Sequence, residues 1–269
     1  RDCLLSRGLG DVYKRQALVC AFFFLTLNLY RMGHIRHPYV EAETFKYKHF
    51  FTVMFLFFAL NFLTAVSTVL QGVYTGGILH YDTLNNVSLN FPSLLGVGLG
   101  ALASWLVLAR LRTGYKMATF IGFVLVVSYL IIMYFLISPD TNIEKLYLPV
   151  VLRNMGNTMI YIVLTTYLSQ IIPFRHFFQS LCAVGFVREG IGGPIATAVV
   201  SRLFKITVQS NYYTLGGVLD SLNPVTVRLP FSIYFGELQR QVILVSVKEV
   251  FGYACLLYTS PSPRDKRQS

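Results

Sequence analysis

Charged residues are scarce in this chain. Of its 269 residues, 13% are Asp, Glu, Lys or Arg, whereas 54% are hydrophobic. Soluble globular domains carry about 25% charged residues, so this chain has too few charges to cover a surface that faces water. The apolar residues fall in blocks of about twenty, the length that an α-helix needs to cross a membrane. The composition therefore argues against a soluble enzyme and predicts an all-α, polytopic membrane protein.

Cysteine is also scarce, and side chains suited to catalysis are not clustered. The four cysteines form neither a disulfide framework nor a zinc-binding spacing. The His residues show no HExxH pattern, and no Ser, His and Asp spacing suggests a nucleophile with its base. We therefore expect no enzymatic activity, no metal and no cofactor. The net charge of +11 does not predict a nucleic-acid partner, because basic residues of membrane proteins concentrate in cytoplasmic loops.

Short sequence segments recur at both ends of the chain. Back-translating residues 255–265 and translating the complementary strand gives residues 6–16, as expected of one DNA oligonucleotide read in both directions. Segments 1–16 and 255–269 therefore resemble translated sequencing adapter and are set aside. The remaining part holds 16 Lys and Arg against 9 Asp and Glu. We expect it to be a fragment of a longer protein.

Apolar and polar runs divide the remaining part into five segments. We interpret them as the end of a truncated span (17–30), a cytoplasmic linker (31–50), a bundle of five spans (51–204), an extracytoplasmic segment (205–240) and the start of a truncated last span (241–254). The five spans are expected at 51–73, 93–108, 117–137, 148–172 and 181–204.

Lys and Arg in alternate loops predict the orientation of these spans. The loops at 31–49, 109–116 and 173–180 hold four, three and one of these residues. Those at 74–92 and 138–147 hold none and one. The first set is therefore expected on the cytoplasmic side.

Three ionisable residues stand out inside the predicted spans: Arg153, Arg188 and Glu189. Charges inside a membrane are costly, so they are candidate functional residues, although satisfied ion pairs or helix-end positions are an alternative. Adjacent helix positions do not face each other, and this predicts that Arg188 and Glu189 join a buried polar network that faces a second bundle rather than pairing locally. Arg153 is expected at a different depth.

Small residues occur at two places inside the spans. Gly192, Gly193 and Pro194 follow the charged residues directly and should loosen the helix, so that it can bend or pack closely. The segment Gly96-Val-Gly98-Leu-Gly100 lies in an apolar run without the strand and helix start of a nucleotide-binding loop, so we interpret it as a helix-packing surface.

Four segments follow one another in the order typical of one transporter family. They are His37-Pro38-Tyr39-Val40-Glu41, Arg110-Leu-Arg112-Thr-Gly114-Tyr-Lys116, the stretch from Gly185 through Arg188, Gly192 and Gly193 to Ala198, and Gln241 through Glu249-Val-Phe251. Together they resemble the second half of fourteen-span drug:proton antiporters of the major facilitator superfamily, the EmrB/QacA type.

The resemblance implies a truncated C-terminal six-helix bundle with a midplane cavity between two pseudo-symmetric bundles. It implies proton-coupled export of hydrophobic drugs or toxic compounds across a bacterial inner membrane. The implied partners are the lipid bilayer, a small hydrophobic substrate, protons, the N-terminal bundle of the same protein and a periplasmic adaptor protein.

Site residues follow from the resemblance and from the charges within the spans. Candidates for transport or coupling are Arg188, Glu189, Arg153 and Glu249. Candidates for gating or packing are Gly192, Gly193, Pro194, Arg110, Arg112, Gly114 and Lys116. We expect Arg188 to support gating or coupling and Glu189 to carry a proton.

Two other functions stay open. A carrier of a defined metabolite would have a cavity lined by fixed polar groups rather than by apolar and aromatic side chains. A membrane scaffold or receptor could use the same fold without transport. Whether the protein is a drug exporter or a metabolite carrier, the fragment alone is expected to be inactive, because alternating access needs two bundles.

Overall fold

The computed structural model describes residues 15–17, 19–24, 26–28, 30–31, 34, 42–79, 81, 87–110, 114–217 and 231–259. Every regular element in these ranges is a helix, which confirms the predicted all-α class. We number the α-helices α1 (Phe50–Val73), α2 (Asn90–Trp105), α3 (Tyr115–Leu136), α4 (Ile143–Ile171), α5 (Phe174–Gly185), α6 (Gly193–Gly217) and α7 (Phe231–Thr259). A 3₁₀ turn, Ala42–Lys46, precedes α1.

Three π-helical segments interrupt or prolong these helices. Tyr74–Ile78 continues α1, Leu106–Arg110 continues α2, and Phe186–Gly192 joins α5 to α6. A π-segment uses i→i+5 hydrogen bonds and is common at functional sites. The third of these segments contains Arg188 and Glu189.

Four helical stretches in the described part of the chain are long and apolar enough to cross a membrane. They are Phe50–Ile78, Asn90–Arg110, Tyr115–Leu136 and Phe174–Gly217. The chain is therefore a multi-pass membrane protein. Helix α4, which contains the predicted fourth span, has 29 residues but is less apolar. It packs between α2 and α3, so protein covers much of its surface.

Glycines allow α2 to approach α4 closely. A Cβ atom added at Gly96 would lie 2.6 Å from the carbonyl oxygen of Val151, and one at Gly100 would lie 2.6 Å from that of Met155. Gly98 has no such neighbour within 4 Å. The predicted helix-packing surface is confirmed for Gly96 and Gly100, four residues apart on one helix face.

Helix α1 lies at the centre of the remaining helices and contacts α4, α6 and α7. Its core-facing residues include Phe50, Leu63 and Leu70, all fully buried. Aromatic side chains from neighbouring helices complete this core, since Tyr129 of α3 and Phe251 of α7 are also fully buried and pack edge to face. This core holds α1 in place beside the polar cavities described below.

Helix α5 begins at Phe174, where the sequence predicted a turn over 173–180. His176, Ser180 and Val184 are buried at four-residue spacing, whereas Phe174 is exposed. The polar residues of this segment therefore lie along a helix that buries one face, rather than in a turn.

The last two helices also extend beyond their predicted ends. Helix α6 continues to Gly217 rather than ending at 204, and α7 runs over Phe231–Thr259 rather than beginning at 241 and ending at 254. Polar residues after 204 suggested a loop. The structure places one of them, Asn211, against α7, where its amide nitrogen donates to Ser246 Oγ at 3.0 Å. A polar side chain with a partner on the adjacent helix does not interrupt helix packing.

Candidate functional site

A cavity of about 490 Å³, here called the central cavity, opens between α1, α2, α4 and the α5–α6 junction. Its lining residues are Leu60, Asn61, Thr64, Ala65, Thr68, Val97, Asn157, Thr158, Tyr161, Arg188, Glu189, Gly193 and Thr197. Nine of these thirteen side chains carry a polar group. The cavity therefore offers many hydrogen-bonding groups in an otherwise apolar bundle.

Arg188 and Glu189 form a local ion pair at this cavity. Arg188 Nε donates to Glu189 Oε1 at 2.7 Å, and Arg188 Nη2 lies 2.6 Å from the same oxygen. The prediction that these residues avoid each other is wrong. It assumed regular α-helical geometry, whereas the segment is π-helical, and both side chains are long enough to turn toward each other.

Aromatic rings hold the Arg188 guanidinium from the other side. Its central carbon lies 4.6 Å from the ring centroid of Tyr161 on α4 and 6.0 Å from that of Phe57 on α1. These distances are within the range of cation–π attraction. The Arg188 side chain is 30% exposed and that of Glu189 is 70% exposed, so the carboxylate is the more accessible partner.

Asn61 stabilises the irregular backbone at this point. Its amide nitrogen donates to the Arg188 carbonyl oxygen at 2.8 Å, and the backbone N–H of Gly193 donates to the same oxygen. A Cβ at Gly192 would lie 2.5 Å from that amide nitrogen, so a larger residue there would have to displace the Asn61 side chain. The irregular segment contains the charged residues and ends at Gly192, and a regular α-helix begins at Gly193, directly before Pro194.

Sequence reasoning did not identify Asn61 as a site residue. The available signal was an amide side chain inside an apolar run of more than twenty residues.

A second cavity, of about 220 Å³, lies between α1, α4 and the start of α2, and we call it the Arg153 cavity. Its lining residues are Thr68, Gln71, Gly72, Thr75, Leu89, Asn90, Ser93, Val150 and Arg153. Arg153 Nη1 donates to Gln71 Oε1 at 2.8 Å, and the guanidinium lies 5.7 Å from the Tyr129 ring centroid. Arg153 and Arg188 therefore occupy different cavities, as their predicted depths implied.

A polar stripe on α1 connects the two cavities. Its members are Asn61, Thr64, Thr68, Gln71 and Thr75, which line one cavity or the other. Spacings of three and four residues place them on one face of the helix. Thr68 lines both cavities, so the polar surface is continuous.

Glu249 lies apart from both cavities. Asn211 Nδ2 donates to Glu249 Oε2 at 3.0 Å, and the Tyr253 hydroxyl donates to Oε1. The first contact joins α6 to α7, and the second lies within α7. Of the four predicted coupling residues, the structure thus brings together only Arg188 and Glu189.

The predicted gating residues between α2 and α3 lie at the surface. Arg110 and Lys116 are exposed, and Gly114 has extended backbone at the start of α3. Arg112 lies outside the described residues.

No protein-family model matches this chain, and no curated protein sequence matches it either.

Proposed function

We propose that this chain forms one helical bundle of a secondary active transporter in a bacterial inner membrane. The observation that carries the proposal is the central cavity, where a polar lining meets an interrupted helix with an ion pair. Transporters place their binding sites near the midplane, beside discontinuous helices. The second bundle of the same protein would close the open side of this cavity.

The lining of the cavity bears on the substrate. Proton-coupled export of hydrophobic compounds is the function that the family resemblance implies, and Tyr161 offers aromatic surface for it. The nine polar side chains suit the other candidate, a carrier of a defined polar metabolite, but most of the surface that the cavity exposes is apolar, as a drug exporter requires. Fixed polar groups orient a specific ligand, whereas drug exporters rely on apolar surface.

The Arg188–Glu189 pair supplies a coupling mechanism. Glu189 is the more exposed partner and can exchange a proton with the cavity. Protonation of Glu189 removes the charge that neutralises Arg188. The Arg188 guanidinium can then bind another anionic or polar group. Protonation of Glu189 would in this way make Arg188 available to an anionic or polar substrate.

Accessibility of the central cavity tests the transport proposal. In the complete carrier with its native cysteines replaced by serine, Thr64→Cys and Thr197→Cys would be labelled with an impermeant thiol reagent. We expect the labelling of both to change when a proton gradient is imposed, because alternating access exposes the cavity to one side at a time. Phe135→Cys, exposed on α3 outside the cavity, is the control and should not respond. Gradient-independent labelling of all three sites would contradict the proposal.

Substitution of the ion pair tests its role. Arg188→Ala and Glu189→Gln should each abolish transport while the protein keeps its normal abundance in the membrane. Transport at the wild-type rate in both variants would show that the pair is structural.

A further inference from the structure

We propose that the Arg153 cavity binds the carboxylate of a small organic anion. The binding itself does not depend on the proposed transport function; calling this anion a substrate does. The cavity holds about 220 Å³. Liquid water occupies about 30 Å³ per molecule, so this space corresponds to about seven waters. A monocarboxylate with a compact body would fit.

The charge of Arg153 is the first argument. Its hydrogen-bond acceptor is the neutral amide oxygen of Gln71, 2.8 Å from Nη1. No carboxylate in the described part of the chain pairs with it. A guanidinium has five N–H donors arranged to grip a carboxylate with two parallel hydrogen bonds. Arg153 therefore keeps both its positive charge and most of its donors for a ligand.

The walls of the cavity are the second argument. Ser93 contributes a hydroxyl group and Asn90 an amide, and both can donate to an anion. Thr68 and Thr75 also line the cavity, but their hydroxyl groups donate to the backbone carbonyl oxygens of Thr64 and Gln71. Among the described residues, no Asp or Glu lines this cavity. Neutral donors around a single cation make a site that favours one negative charge.

The contrast with Arg188 is the third argument. Arg188 lies in the same bundle, but Glu189 neutralises it at 2.6 Å. Both arginines lie beside aromatic rings, so the difference between the sites is the carboxylate that only Arg188 possesses. An external carboxylate would give Arg153 the partner that Glu189 gives Arg188.

Binding of benzoate provides the test. The 269-residue chain would be placed in nanodiscs of zwitterionic phosphatidylcholine and titrated with benzoate, with its neutral analogue benzamide as ligand control. We expect benzoate to bind and raise the melting temperature, and benzamide to do neither. Arg153→Gln should weaken benzoate binding at least tenfold, or about 1.4 kcal/mol. Arg202→Gln, an exposed arginine on α6 outside both cavities, should leave binding unchanged.

A second variant keeps the test independent of folding defects. Gln71→Glu would place a carboxylate beside Arg153, so we expect it to abolish benzoate binding while the melting temperature without ligand stays the same or rises. Absence of benzoate binding to the wild-type chain, or equal binding to Arg153→Gln, would overturn the proposal. So would an Arg153-dependent response to added phosphatidylglycerol without one to benzoate, since the site would then hold a lipid headgroup.

Binding in nanodiscs needs no transport. If benzoate binds as expected and the complete carrier moves no substrate, the transport proposal alone fails.

Discussion

The two sides of this bundle are held together by different means. Helices α2, α3 and α4 meet through glycines: a Cβ at Gly156 of α4 would lie 2.8 Å from the carbonyl oxygen of Gly122 on α3. On the other side, α1 meets the α5–α6 junction through the Asn61 amide and the Arg188 guanidinium. The first side brings backbones into contact, whereas the second relies on exchangeable hydrogen bonds.

This difference in packing suits one side of the bundle to rigidity and the other to movement. Close backbone packing admits few alternative arrangements, so α2, α3 and α4 are suited to act as a rigid body. At the π-segment, the Arg188 carbonyl oxygen accepts from the Asn61 side chain as well as from the Gly193 N–H of its own helix. A segment of this kind can change its hydrogen-bond partners at modest cost and is therefore suited to move.

Gly100→Leu should have the largest effect on stability. The added side chain meets the Met155 carbonyl oxygen, 2.6 Å from the position of Cβ, and must push α2 away from α4. Overpacking of this kind costs about 3 kcal/mol. Unfolding of the purified chain in detergent micelles, followed by circular dichroism, would measure it.

Gly98→Leu is the matched control, because the position lies on the same helix with no contacting atom within 4 Å. We expect its free energy of unfolding to stay within about 0.5 kcal/mol of the wild-type value. Equal losses in both variants would show that leucine disturbs α2 itself, and the rigid-side interpretation would fail.

Asn61→Leu should have an intermediate effect, on the other side of the bundle. It removes the donor to the Arg188 carbonyl oxygen, which keeps the Gly193 N–H as a partner. Loss of one such hydrogen bond costs about 1 kcal/mol. We also expect faster hydrogen exchange in the π-segment, measured by mass spectrometry.

Thr64→Val serves as the control for Asn61→Leu. Thr64 lines the same cavity, but its hydroxyl donates only to the Leu60 carbonyl oxygen within α1. Exchange in the π-segment should therefore match the wild type. Faster exchange in this variant too would mean that any change in the cavity loosens the segment.

The features that could be predicted from the sequence have a different physical basis from the features that could not. Long apolar runs identified the helices, and glycine spacing identified a close-packing surface on α2, because both patterns are local. The ends of α5, α6 and α7 did not follow, since partners elsewhere in the chain, such as Ser246 for Asn211, accommodate their polar residues. The Arg188–Glu189 pair depends on a local departure from α-helical geometry that the sequence only hinted at through the glycines after it.

The coupling between Arg188 and Glu189 should be the smallest effect. A double-mutant cycle with Arg188→Met and Glu189→Gln would measure it as the non-additive part of the free energy of unfolding. The Glu189 side chain is 70% exposed, so the pair resembles a surface ion pair, for which about 0.2–1 kcal/mol is typical.

The matched cycle combines Arg153→Gln with Glu189→Gln. Arg153 bonds to Gln71 and lines the other cavity, so these two changes should be additive. A coupling above about 2 kcal/mol between Arg188 and Glu189 would instead indicate a desolvated pair. Such a pair would stabilise the fold rather than remain free to exchange protons, and the proposed role of Glu189 in coupling would then fail.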